Sequence, residues 1–227
     1  MPAPTPFLFD LDGTLAETLA DLTASTNHVR ARFHLPPVDD AVVRGFVGDG
    51  ARTLLRRALA PVLPTELAAA ERALDDAFAA YVEHHDVQCT VHVRPFAGVR
   101  AHLEALAARG HPLAVVTNKP ARFAVPIVRH LGLDDLLPVV VGGDTLPTKK
   151  PDPAPLRHAL QRLGAGADGG GTMVGDGVQD LRAAKAAGLR SIGCLFGYGD
   201  AAALRREGAD VWWRAFGEPD DAVSGTV

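Results

Sequence analysis

The chain has 227 residues, 47% apolar, 22% charged and 6% aromatic, which is too apolar for a disordered chain and too poor in charge for a coiled coil. A net charge of −4, with 23 Lys+Arg against 27 Asp+Glu and no basic run of five, excludes the electrostatic footprint of a nucleic-acid binder. Two cysteines, Cys89 and Cys194, make no disulfide framework, no stretch approaches the ~20 apolar residues of a membrane span, and the opening MPAPTPFLFD lacks the basic and apolar regions of a signal peptide. The expectation is a cytoplasmic protein, a monomer or homodimer, with no nucleic-acid or membrane partner.

Phe7 to Phe9 is a short apolar run stopped by Asp10-Leu11-Asp12-Gly13, a buried strand entering a turn. From about Glu17 to His85 the apolar residues recur at three- and four-residue spacing, which predicts helices. Pro36-Pro37, Gly48-Asp49-Gly50 and Pro61 to Pro64 divide them. After Pro95 the pattern alternates. Helices are predicted over Val99–Arg109, Ala121–Leu131, Pro155–Leu163, Leu181–Ala187 and Ala201–Glu207. Strands are predicted over Pro112–Val116, Val139–Val141, Thr172–Val174, Ser191–Leu195 and Asp210–Trp213. Apolar strands separated by helices imply a parallel sheet covered on both faces. The fold class is therefore α/β, a doubly wound parallel-sheet core with a helical insertion after its first strand. The expected division is a core of residues 1–15 and 87–216, a helical cap of 16–86, and a polar, frayed tail of 217–227.

In such sheets the reactive groups gather at the carboxyl ends of the strands. The first strand ends in Asp10 and Asp12, the next core strand in Thr117-Asn118-Lys119. The third leads to Gly142-Gly143-Asp144 and Lys149-Lys150-Pro151, and the fourth ends in Gly175-Asp176, with Asp180 four residues on. Taken singly, Asp-x-Asp-Gly is usually a turn, Thr-Asn after a strand a helix cap, and a Lys pair a solvated one. Together, and in this order, they bring four carboxylates, a hydroxyl and a lysine to one rim. Close carboxylates repel unless a cation lies between them, and Mg²⁺ fits an oxygen set completed by water and phosphate. The hydroxyl, backbone N–H groups and an ammonium suit a transferring phosphoryl group. One carboxylate is then free to attack phosphorus while its neighbour handles protons.

Phe9-Asp10-Leu11-Asp12-Gly13-Thr14-Leu15, Val116-Thr117-Asn118, Lys150-Pro151 and Gly175-Asp176-Gly177-Val178-Gln179-Asp180 resemble the four motifs of haloacid dehalogenase superfamily phosphatases over almost the whole chain. The resemblance implies that Asp10 is the nucleophile and a Mg²⁺ ligand. It makes Asp12 the general acid/base, ligating the ion through its carbonyl. Asp176 is implied as a ligand, and Asp180 as a ligand or an organiser of the ion's water. Gly13, Thr117, Asn118 and Lys150 are the implied phosphate contacts. Because Asp12 is present, phosphate-ester chemistry is favoured over dehalogenation. Val47-Gly48-Asp49-Gly50-Ala51, Thr117-Asn118-Lys119-Pro120 and Ala183-Ala184-Lys185-Ala186-Ala187-Gly188 are most similar to the bacterial phosphoglycolate phosphatases of that superfamily. The implied substrate is a small phosphorylated metabolite, foremost 2-phosphoglycolate. Alternatives are another small metabolite or sugar phosphate, and phosphosugar mutation as in β-phosphoglucomutases. A receiver-like signalling module is disfavoured, because there the acceptor aspartate ends the third strand and no long insertion follows the first.

The cap loop reads Gly-Asp-Gly where relatives are expected to carry Gly-Asn-Gly. Asp49, if it faces the site, should repel a carboxylate substrate. Gly50 and Arg52 are the expected cap contacts to substrate, with Arg52 able to pair with a substrate carboxylate. His84, His85, Cys89 and His92 have the residue types of a zinc site but read as a His-rich connection from cap to core. Gly164 to Gly171 runs from helix to strand, the wrong order for a phosphate loop. Trp212 and Trp213 read as packing.

Overall fold

The computed structural model describes residues 4–166 and 170–219. In chain order the elements are β1 (Phe7–Phe9), β2 (Ala16–Glu17), α1 (Leu19–Arg32), α2 (Asp40–Arg44), α3 (Ala51–Ala58), α4 (Leu67–Gln88), β3 (Arg94–Pro95), α5 (Val99–Ala108), β4 (Leu113–Val116), α6 (Ala121–His130), β5 (Val139–Val141), α7 (Ala154–Arg162), β6 (Thr172–Gly175), α8 (Val178–Ala187), β7 (Arg190–Cys194), α9 (Ala201–Glu207), β8 (Val211–Ala215) and β9 (Glu218–Pro219). The large sheet has the order β5-β4-β1-β6-β7-β8-β9, parallel except where β9 joins β8 antiparallel.

Strand side chains alternate between the two faces. Phe9, Leu113, Val115 and Val174 point to the face covered by α5 and α6, where Val99, Leu103, Phe123 and Ile127 complete one cluster. Leu8, Ala114, Val116 and Met173 point to the other face, against Leu156, Leu160, Ala183 and Ala184 of α7 and α8. Both faces are buried, so every β1, β4 and β6 residue but Phe7 is fully sequestered, which accounts for runs too apolar to show alternation in the sequence.

The chain leaves β1, moves out to β4 and β5, then crosses back to β6 on the opposite side of β1. The carboxyl end of β1 is thus the topological switch point, where such sheets bind ligands. Along the chain, helices α1 to α4 all fall between β1 and β4, the next strand of the large sheet. In α4, Ala70, Leu74, Ala77 and Tyr81 are buried at the spacing of one helix face, and Leu74, Ala77 and Tyr81, with Leu22, Val29 and Leu55, extend the first cluster.

Three local expectations change. The chain enters and leaves the helical block through a short antiparallel pair, Ala16↔Pro95 and Glu17↔Arg94, backed by a 2.7 Å Arg94–Glu17 ion pair; two-residue strands carry no period to read. Helix α4 continues to Gln88, past the expected division at 86. The last strand runs to Ala215 rather than Trp213, and Gly217 (φ +78°) turns the chain so that Glu218 pairs back on Ala215. The tail is therefore ordered through β9, and the remainder of the expected frayed segment, 220–227, lies outside the described residues, as do 167–169 of the Gly-rich connector.

Candidate active site

Asp10 follows β1, Asp176 follows β6 and Asp180 sits in the first turn of α8. Their carboxylate oxygens lie within 4.8 Å of one another, all buried. Each is held by its own scaffold. Asp10 Oδ1 accepts from the Leu11 N–H at 2.7 Å. Asp176 accepts from the Thr14 hydroxyl at 3.0 Å and from the Tyr198 N–H at 2.7 Å. Asp180 Oδ2 accepts from the Gly177 N–H at 3.0 Å, closing the start of α8; that contact starts the helix at Val178 rather than at Leu181.

Lys150, fully buried, places its ammonium 3.1 Å from Asp10 Oδ1 and 2.6 Å from Asp180 Oδ1 and donates to the Val116 carbonyl at 2.6 Å. Burial acts to neutralise this lysine, but the charges of Asp10 and Asp180 outweigh it and hold its pKa above the ordinary value. One ammonium does not balance three carboxylates. Burial, reinforced by the charge of Asp10, pushes the Asp176 and Asp180 carboxyls up. Without a cation the trio thus favours proton uptake, and its hard oxygen donors suit a divalent ion such as Mg²⁺.

Asp12 is not in that trio. Its carboxylate accepts from the Thr18 hydroxyl at 2.7 Å and pairs with Lys119 Nζ at 3.1 Å (Oδ1) and 3.4 Å (Oδ2). The intervening turn depends on Gly13 (φ +80°), where a Cβ would sit 2.3 Å from Asp176 Oδ2. No other residue allows both that backbone and that approach.

A cavity of about 370 Å³ opens onto Asp10, Asp12, Thr117 and Asp176 and is roofed by the loop around Gly48, Asp49 and Gly50. Asn118 Nδ2 donates to the Gly48 carbonyl at 3.0 Å and to the Lys150 carbonyl at 2.9 Å, and Lys149 donates to the Asp49 carbonyl. The loop is thereby tied to the strand ends below it.

The structure departs from the sequence reading at Arg52. This side chain pairs with Glu71 at 2.8 Å and Asp75 at 2.6 Å on the outside of the helical block and does not line the cavity; Arg57 does. Ala51, Leu54 and Arg57 fall at i, i+3 and i+6 on the face of α3 turned to the site, whereas Arg52 lies about 100° around the helix from Ala51. Asp49 faces the cavity, with its carboxylate paired to Arg57. Gly50 also lines it. Among the described residues no His or Cys group brings three ligand atoms together; the Ser25 hydroxyl lies instead between His84 Nδ1 and His85 Nδ1.

Lys119, Tyr198, Gln179 and Arg57 also line the cavity, and none of them is among the site residues expected from the sequence. Lys119 carried a signal, being two residues beyond Thr117 and so on the same side of an extended backbone. Tyr198 did not: it arrives from the loop after β7, and its hydroxyl accepts from the Thr18 and Leu19 N–H groups at 2.6 and 3.1 Å.

A sequence profile described as haloacid dehalogenase-like hydrolase matches residues 7–194. The chain is 39% identical over 201 residues to a phosphoglycolate phosphatase of Neisseria meningitidis, covering 88% of this chain and 84% of that one. It is 43% identical over 199 residues to one of Rhodospirillum rubrum, covering 86% and 81%. A crystal structure described as a predicted phosphoglycolate phosphatase from Haemophilus somnus superposes with a TM-score of 0.82 at 31% identity, covering 95% of this chain and 96% of that one. With the phosphatase motifs assembled at one switch point and these relatives matched along nearly their full length, the chain belongs to the haloacid dehalogenase-like hydrolases, as a phosphatase.

Proposed function

We propose that this phosphatase hydrolyses 2-phosphoglycolate to glycolate and phosphate, with Mg²⁺, through a phosphorylated Asp10. The observation that carries the reading is the buried trio of Asp10, Asp176 and Asp180 beside Lys150, next to a cavity that is also lined by the separately paired Asp12. The small cavity supports a small ester, and the names of the relatives support phosphoglycolate. Asp10, Asp176, Asp180 and the Asp12 carbonyl would hold the ion, which when bound supplies positive charge against the phosphate oxygens.

In the first step an Asp10 carboxylate oxygen attacks phosphorus, the bond from phosphorus to the ester oxygen breaks, and Asp12 gives its proton to the departing oxygen. Thr117 and Lys150, with the Asn118 backbone, hold the transferring group and offset its charge. In the second step Asp12, again a carboxylate, takes a proton from water. The resulting hydroxide attacks the phosphorus, the bond to Asp10 breaks, and phosphate leaves. Lys119 and Thr18 fix the Asp12 carboxylate in both steps. Residues 16–86 act as a cap that closes over the cavity and excludes bulk water, on a core of 1–15 and 87–216.

The test is phosphate release from 2-phosphoglycolate and a panel of sugar phosphates, with Mg²⁺ or chelator, in the wild type and Asp10→Asn. The expected result is Mg²⁺-dependent turnover with kcat/KM highest for 2-phosphoglycolate and a loss of at least about 10³-fold in Asp10→Asn. Preference for a sugar phosphate removes the substrate, and full activity of Asp10→Asn removes the mechanism.

A further inference from the structure

We infer that Lys119 is the residue that selects a negatively charged leaving group, by pairing its ammonium with the carboxylate of the departing alcohol; this rests on the 2-phosphoglycolate reading above. The charges around the cavity narrow the choice. Among its described lining residues only Lys119 and Arg57 are cations, whereas Asp10, Asp12, Asp49, Asp176 and Asp200 are anions. Lys150, behind Asp10, is committed to Asp10 and Asp180, and Lys149 to the roof. Arg57 is neutralised by Asp49, with both side chains more than a third exposed, so water screens that end of the cavity. Lys119 is 5% exposed, and a charge so placed is screened far less.

Position completes the choice. Asp12 gives its proton to the ester oxygen, so that oxygen comes within hydrogen-bond reach of the Asp12 carboxylate, ~3 Å. Lys119 Nζ is 3.1 Å from the same carboxylate. In 2-phosphoglycolate the carboxyl carbon is two bonds from the ester oxygen, so its oxygens are brought to the neighbourhood of this ammonium. An ammonium has three donors, enough to keep its bond to Asp12 and donate to a second carboxylate. Asp12 in turn keeps the Thr18 hydroxyl if the lysine shifts. The wall beyond is aromatic: Tyr81 lines the cavity and stacks on His85 at 4.8 Å. His85 is kept neutral, its pKa held down to about 2 by burial and then by the charge of Lys119, so no second cation shares this corner.

The experiment compares 2-phosphoglycolate with 2-hydroxyethyl phosphate, which has an uncharged leaving group of nearly the same size, in the wild type, Lys119→Gln and Lys119→Arg. The ratio of the two kcat/KM values is taken within one preparation, so any unfolded fraction cancels. The wild type should prefer the carboxylate ester. Lys119→Gln should lower that ratio about tenfold to a hundredfold, chiefly through KM for 2-phosphoglycolate, and Lys119→Arg should restore most of it. If Lys119→Gln slows both esters equally and leaves the ratio intact, Lys119 merely holds Asp12 and the inference falls while the substrate stands. If the wild type itself does not favour 2-phosphoglycolate over the neutral ester, the substrate reading falls and takes the inference with it.

Discussion

The two walls of the cavity are built on opposite principles. The strand-end wall and the groups directly behind it are charges removed from water: Asp10, Asp176, Asp180 and Lys150 are all at most 6% exposed, and each is fixed by a backbone group, the N–H of Leu11, Tyr198 and Gly177 and the carbonyl of Val116. The helical block carries charges left in water: Arg57–Asp49 at the cavity, and Arg52–Glu71 and Arg56–Glu71 on its outer face, all between 38% and 47% exposed. Buried charges have steep energies and tolerate one geometry, whereas exposed pairs are individually weak and exchangeable. The chemistry is therefore held by the first wall, and the second is free to vary.

The largest effect that sharpens this contrast is expected from Lys150→Met. Removing the one cation from three buried carboxylates should cost about 3–5 kcal/mol, or on the order of 10 °C in melting temperature for a chain of this size. Saturating Mg²⁺ should return part of it. Thermal denaturation with and without Mg²⁺ reads both numbers, and an unchanged melting temperature would show that the strand-end charges are not coupled.

Glycine substitutions compare the walls directly. Gly13→Ala places a methyl 2.3 Å from Asp176 Oδ2 at a positive φ, whereas at Gly50 (φ +86°) a methyl would meet the Asn118 carbonyl at 3.1 Å and the Lys149 ammonium at 3.2 Å, a milder crowding. Gly13→Ala should lose about 2 kcal/mol or more of stability and most of its Mg²⁺ affinity. Gly50→Ala should lose about 1 kcal/mol from backbone strain and that milder crowding, and keep its Mg²⁺ affinity. Melting curves and Mg²⁺ titration distinguish them.

The pH response is a smaller effect with opposite signs in two places. Asp176 and Asp180 are pushed up to about 6 and about 7, so their stabilisation of the metal-free fold is complete below the unfolded value of about 3.9 and is lost as pH rises through the folded values. His85 is pushed down to about 2, so its stabilisation is complete above about 6.5 and is lost as pH falls. Between pH 6.5 and 8 the acids dominate. Chelated protein should lose about 1 kcal/mol over that interval, or 2–4 °C, and saturating Mg²⁺ should remove the loss. An equal loss with Mg²⁺ present would place the ion elsewhere.

The smallest effect belongs to the outer face of the helical block. Arg52→Ala should shift the melting temperature by less than about 2 °C and leave kcat/KM unchanged, where Arg57→Ala should raise KM. A loss of activity in Arg52→Ala would mean that α3 turns its other face to the substrate.

The legibility of this chain follows the same division. Asp10, Asp12, Thr117, Lys150, Asp176 and Asp180 could be read because strand ends in a parallel sheet converge whatever the loops do, and four short motifs mark those ends. The parallel order itself followed from apolar runs separated by helices. Arg52 is nearer in sequence to the Gly48-Asp49-Gly50 loop, but helical phase rather than proximity sets which α3 arginine reaches the cavity, and it selects Arg57. Lys119 was read only as part of a strand end, since its partner Asp12 is 107 residues away.

What the sequence determined by itself was the α/β order, the helical insertion after the first strand and the set of polar residues gathered at one rim of the sheet, because these depend on local periodicity and on short motifs at element ends. Only the tertiary structure decided that Asp12 stands apart from the carboxylate trio with Lys119, that Tyr198 reaches from the loop after β7 to the start of α1, and that Arg57 rather than Arg52 faces the cavity. Those facts rest on contacts between residues distant in the chain and on the rotation of one short helix, which nearest-neighbour spacing does not encode.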